Sequence, residues 1–215
     1  MDKNKSSYIF IYSIILVVVV AGALSLVAVL LQPKQRKNFE IEQKRNILSA
    51  LKVNVETDEV EKTYEKMITE IFVNEAGETT DGANENAHII YIAKTNEGNK
   101  YVFPLRGKGL WGPIWGYLSL DDDFNTVYGA YFDHKSETSG LGAEIATDWF
   151  QAQFSGKQIF NAENQFVSVK TNKHGASNDN EVNAVSGATI TSTSVSTMIE
   201  DCLKKYLPYI EKSRR

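Results

Sequence analysis

Nine consecutive residues, Ser186-Gly187-Ala188-Thr189-Ile190-Thr191-Ser192-Thr193-Ser194, carry six hydroxyl side chains just before the expected last helix. Hydroxyls and free N–H groups at a helix start can hold an anion such as a phosphate. Gly187 and Ala188 would let a bulky ligand approach the backbone closely. An ordinary Ser/Thr helix cap uses the same residue types, and composition does not separate the two. A second run, His134-Lys135-Ser136-Glu137-Thr138-Ser139-Gly140-Leu141-Gly142-Ala143-Glu144, sets glycines on either side of Leu141. A tight loop there would hold Leu141 out towards something flat. A third, Gly107-Lys108-Gly109-Leu110-Trp111-Gly112-Pro113-Ile114-Trp115-Gly116, puts two tryptophans among glycines and a proline. Those rings need a partner, the core or a planar ligand, and the core is the commoner destination.

Other chemistries lack their residues. There is no Gly-x-Ser-x-Gly elbow, no His-Glu-x-x-His, no Walker loop and no Gly-x-Gly-x-x-Gly. A single cysteine, Cys202, allows neither an internal disulfide nor a thiolate-rich metal site, and reads as a small core residue. His88, His134 and His174 lack the short spacings of metal ligands, so neither a metal nor a catalytic dyad is expected. Asp121-Asp122-Asp123 reads as a hairpin turn. The net charge of −4 hides an asymmetry: residues 1–37 hold five Lys/Arg and one acid, leaving 18 Lys/Arg against 26 Asp/Glu beyond. So acidic a body repels a phosphate backbone, which excludes nucleic acid as a partner.

Residues 8–31 form 24 uncharged positions, mostly Ile, Leu, Val and Ala. As a helix the run would be about 36 Å long, enough to span a bilayer with some tilt. Lys3 and Lys5 precede it, and Pro33, Lys34, Arg36 and Lys37 close it. Cleavage of a signal peptide near Ala21-Gly22-Ala23 is the competing reading, but would leave apolar residues 24–31 as a new terminus. A retained anchor, residues 1–37, is therefore expected, followed by a soluble domain, residues 38–215. The basic residues after the span favour a cytoplasmic body, although that rule is weak for long domains.

The soluble part reads as α+β. Residues 39–53 and 58–72 have helical spacing, the latter with Asp58 and Glu61 as a capping box. Residues 74–87 read as a loop or strand pair. Residues 88–93, 100–105, 115–120 and 126–132 are β-branched and aromatic runs with short separations, which favours antiparallel neighbours. Residues 144–154 return to helix and 166–169 to strand. Residues 193–206 form the last helix, with Val195, Met198, Ile199, Cys202 and Leu203 inward.

Ser186-Gly187-Ala188-Thr189 resembles the flavinylation motif of FMN-binding domains, and the Leu110 and Leu141 segments match two further blocks of that family. Together with the single span, the chain resembles the C-subunit family of Na+-translocating NADH:quinone oxidoreductases; G subunits of ferredoxin:NAD+ complexes are a related alternative. The resemblance implies a single N-terminal transmembrane helix, then an antiparallel-sheet FMN-binding domain with flanking helices. It implies FMN joined covalently through a phosphoester to Thr189, transferred from FAD by a separate flavin transferase. The phosphate would sit near the start of the last helix, with Thr191 or Ser192 in hydrogen-bond reach. Ser186, Gly187 and Ala188 would complete the attachment site. Leu110, Trp111, Thr138, Leu141 and Gly142 would surround the ring. It further implies a membrane electron relay among other subunits of one complex, with the domain on the extracytoplasmic side. A non-redox assembly role with a bare Thr189 is the rival from another class. Two positions depart from the family pattern: Asn183 stands where Asp is usual, and Ser139 where Pro is usual.

Overall fold

Backbone groups of a lipid-facing segment must be paired within it, so an apolar run becomes one uninterrupted helix. The computed structural model describes residues 6–84 and 87–214, and its first helix, α1, runs Ser6–Ala50 straight through Pro33. Lys3 and Lys5 lie outside the described residues. By internal contacts the chain divides into two units, Met1–Gln43 and Lys44–Arg215. Within the first, residues 9–31 are exposed on every side of the helix, as a membrane-facing helix requires.

The second unit is built on a six-stranded antiparallel sheet. Its strands are β1 Ile68–Val73, β2 Thr79–Thr80, β3 His88–Thr95, β4 Gly98–Lys108, β5 Pro113–Leu120 and β6 Val127–His134, in spatial order β2-β1-β3-β4-β5-β6. The four β-branched runs read from sequence are therefore all strands, and they form the expected antiparallel meander, β3 to β6. Residues 74–78 turn back into the short β2; Glu85 and Asn86 of the same stretch lie outside the described residues. The aspartate run is the turn between β5 and β6, where Asp123 accepts N–H bonds from Asn125 and Thr126, both at 2.8 Å.

Four sequence expectations need correction. The helix expected over residues 58–72 stops at Met67: α2 is Val60–Met67, and the next six residues pair with β3 from Ile68↔Ala93 to Val73↔His88. Ile68 and Ile71 keep the helical spacing and fall on opposite faces of a strand, so pairing with β3 overrides the local period. No capping box forms, since Glu59 is the N-cap and makes no side-chain cap bond. The helix expected over residues 144–154 breaks at the extended Thr147 (ψ 149°) into a 3-10 turn, Gly142–Ala146, and a short α3, Asp148–Ala152. At residues 166–169 there is one bridge, Phe160↔Phe166. Ser168 turns to φ 61°, and regular pairing begins only at β7, Lys170–Asn172, parallel to β8, Glu181–Asn183.

The fourth correction bears on function. The last long helix, α4, spans Thr189–Lys204 and so begins four residues before the expected start. Its inward residues are as expected: Val195, Met198, Ile199, Cys202 and Leu203 are all buried. They share one core with Phe103, Leu105, Ile114, Leu118 and Phe132 of the sheet. Gly107 of β4 permits the approach of α4, because a Cβ there would stand 2.8 Å from Met198 Cβ. Elsewhere Ile47, Leu48, Ala50 and Leu51, near the end of α1, are buried, and Ser119 Oγ of β5 donates to the Ala50 carbonyl at 2.6 Å. A final helix, α5 Leu207–Ser213, closes the domain.

Candidate functional site

Three loops meet where α4 begins. The β4–β5 hairpin is closed by the Gly109 N–H bonding the Gly112 carbonyl at 2.7 Å, which leaves Leu110 45% and Trp111 67% exposed at its tip. Trp111 is thus outside the core. After β6 the chain turns through Gly140 at φ 73°, and the Thr138 carbonyl accepts from the N–H groups of both Leu141 and Ala143. Leu141 stays 42% exposed, as the flanking glycines suggested.

The third loop delivers the hydroxyl-rich run. Residues 185–188 make a turn closed by Ala188 N–H to the Val185 carbonyl, with Gly187 at φ 74° in its third position. A side chain at 187 would be strained there and would press on Leu141, whose Cδ2 lies 2.9 Å from the place of a Cβ. The Ser192 N–H then bonds the Ala188 carbonyl, which makes Thr189 the first helical residue. Its side chain is exposed, and the first-turn N–H groups beside it lack partners one turn back.

Together these loops enclose a cleft of about 430 Å³ lined by Leu110, Trp111, Glu137, Thr138, Leu141, Gly142, Gly187, Ala188, Thr189, Ile190 and Thr191. Every site residue selected from sequence lines it except Ser186, which is exposed in the adjoining turn. Thr191, which lines the cleft, and Ser192 both have partners within the protein. Thr191 is 1% exposed and donates to Glu137 Oε2 at 2.7 Å, while the buried Ser192 Oγ accepts the Val185 N–H at 3.0 Å. Both hydroxyls brace the helix start, so an anion at Thr189 meets backbone N–H groups first.

Glu137 is what sequence reasoning missed. It is 7% exposed, and its carboxylate accepts Trp111 N–H at 2.8 Å as well as Thr191 Oγ1, joining the hairpin to α4. The slot is narrow. A Cβ at Gly109 or Gly142 would stand 2.5 Å from one or other of its oxygens. Burial opposes the charge, but hydrogen bonds from Thr191, Trp111 and Gly112, helped by His134, outweigh it and hold the carboxyl below its ordinary value. A carboxylate with a depressed folded pKa stabilises the fold above its unfolded value, near 4.5, and that contribution is lost as pH falls through the folded value. Thermal unfolding followed from pH 7 to pH 3 should therefore show melting temperature falling below about pH 4.5, less steeply in Glu137→Gln; identical acid limbs would remove Glu137 from this role.

The arrangement suits a flat ligand carrying a phosphate. Apolar side chains Leu110, Trp111, Leu141 and Ile190 offer surface for a ring, and Thr189 offers an accessible hydroxyl. Glu137, the one carboxylate among the lining residues, is engaged by Thr191 and the Trp111 N–H.

Comparison with known proteins gives a consistent picture. Residues 109–204 match the family model described as FMN-binding domain. The C subunit of the Na(+)-translocating NADH-quinone reductase of Pasteurella multocida is 30% identical, covering 99% of this chain and 96% of its own length. Its counterpart in Haemophilus ducreyi is 34% identical over 87% of this chain and 84% of its own length. The crystal structure of the C subunit of the same reductase from Parabacteroides distasonis superposes with a TM-score of 0.78 at 38% identity, covering 84% of this chain and 96% of that one.

Proposed function

Because the chain belongs to the family of C subunits of Na(+)-translocating NADH-quinone reductases, we propose that it is an electron relay carrying FMN esterified to Thr189. One observation carries the reading: Thr189 opens α4 with an exposed hydroxyl on the cleft where the three loops meet. A separate flavin transferase makes the bond from FAD: the Thr189 oxygen joins the flavin-side phosphorus, the pyrophosphate bond breaks, AMP departs and the hydroxyl loses its proton. Since the transferase supplies the activation, no base is needed beside Thr189. Backbone N–H groups of the first turn of α4 hold the phosphate. Leu110, Trp111 and Leu141 flank the ring, and Thr138 and Gly142 close the cleft beside it. Bound there, FMN supplies the electron-accepting chemistry, and the protein sets position and field. The apolar helix anchors the protein beside the other subunits of its complex, with the domain on the extracytoplasmic side where the transferase works.

Flavin fluorescence on a denaturing gel tests the attachment: the chain isolated from a host with the transferase should fluoresce at its own band, and a dark band would overturn the reading. Asn183 favours the rival assembly role only if the transferase reads the usual carboxylate as a charge. Here Asn183 Oδ1 accepts the Ala176 N–H at 2.8 Å, a bond that a carboxylate oxygen would make equally well. Asn183→Asp should therefore fluoresce no more per chain than the unaltered protein; a several-fold gain would show that charge is read. Trp111→Ala should keep the fluorescent band but shift the flavin's absorbance or potential, because an exposed indole on the cleft contacts the ring. Unchanged spectra and potential would remove Trp111 from the ring's surroundings.

A further inference from the structure

A buried charge normally has a counter-ion, and Glu137 has none: among the described residues the ion pairs involve other carboxylates. Hydrogen bonds hold it instead, from Thr191 Oγ1 at 2.7 Å, from Trp111 N–H at 2.8 Å and from the Gly112 backbone. The neighbouring His134 is turned the same way, its Nδ1 accepting the Glu137 N–H at 3.3 Å. A fixed anion held by hydrogen-bond donors rather than by an ion pair projects its field into the cleft it lines, and burial protects that field from salt. We propose that the Glu137 carboxylate sets the reduction potential of the ligand held in this cleft, disfavouring reduction through its negative charge. The inference rests on the reading that FMN occupies the cleft on Thr189. An electron arriving without a proton adds negative charge near Glu137, and the carboxylate raises the energy of that state. Glu137 touches neither the attachment oxygen nor, by any bond described, a transferred proton, so it acts as a positioning and tuning residue.

The test is a dithionite titration of the full-length protein in detergent at pH 8, after intact mass has shown the flavin in place. Dithionite supplies the electrons and solvent any protons. Glu137→Gln, which removes the charge and keeps the shape, should move the midpoint to more positive potential, and the shift should persist in 1 M KCl, where exposed charges are screened. Glu137→Asp keeps the charge and should stay close to the unaltered protein. Thr191→Val keeps the carboxylate but removes a donor that partly neutralises it, so its midpoint should become more negative. A Glu137→Gln midpoint at or below the unaltered value overturns the inference, and so does an equal positive shift in Glu137→Asp, which would mark loosened packing. If Glu137→Gln does not fold, Thr191→Val decides: a negative shift supports the role of the charge, and no shift or a positive one overturns it. Absence of flavin mass from the unaltered protein would instead overturn the underlying reading.

Discussion

Thr189→Ala should abolish covalent flavin completely while leaving the fold intact. Thr189 is exposed at the first position of α4 and makes no bond that braces the turn, so its loss should change stability by only about 0.5 kcal/mol. The flavin bond, in contrast, needs that oxygen. Neighbouring hydroxyls offer poor substitutes: Thr191 and Ser192 are 1% and 0% exposed and are engaged with Glu137 and Val185. Denaturing-gel fluorescence and thermal melting of the variant together check the claim. A fluorescent band at undiminished intensity would move the attachment to one of the exposed hydroxyls, Ser186 or Thr193.

The second large effect is on stability and loop order. Glu137→Leu keeps the side chain's bulk but leaves the Trp111 and Gly112 N–H groups and the Thr191 hydroxyl without an acceptor in a buried slot. Each orphaned donor costs about 1–3 kcal/mol, and the sum over the three, about 3–9 kcal/mol, corresponds to a fall in melting temperature on the order of 10 °C or more. Because the same bonds tie the hairpin to α4, hydrogen exchange at residues 109–112 should also become faster. A melting temperature within about 2 °C of the unaltered protein would mean that the slot refills with water at little cost, and that Glu137 is not the tie between the loops.

Much of this fold is legible in the residue pattern itself. Val, Ile, Tyr and Phe runs with short Gly- or Asp-containing breaks announce an antiparallel meander, and β3 to β6 follow them to within a few residues. The membrane span and the inward face of α4 are equally plain, because their periodicity is strong. What stays hidden depends on contacts far apart in the chain. Residues 68–72 carry a helical stripe, and only β3, some twenty residues away, makes them a strand. Thr189-Ile190-Thr191-Ser192-Thr193 is β-branched and hydroxyl-rich, so propensity delays the helix to 193. The buried bonds of Thr191 and Ser192 start it at Thr189 instead. Glu137 lies inside a segment that its glycines and Leu141 single out, yet an acid among Ser, Thr and Gly reads as solvated. Its partners lie 26 and 54 residues away, a separation no local pattern reports.

The most direct test of the central claim is the intact mass of the membrane-extracted chain from a host with a working flavin transferase, with a peptide map across residues 181–196. The predicted result is a mass gain equal to FMN less one water, carried by the peptide containing Thr189 and localised to its side chain. An unmodified mass from such a host would contradict the covalent relay and leave the cleft to a reversibly held ligand or the protein to an assembly role.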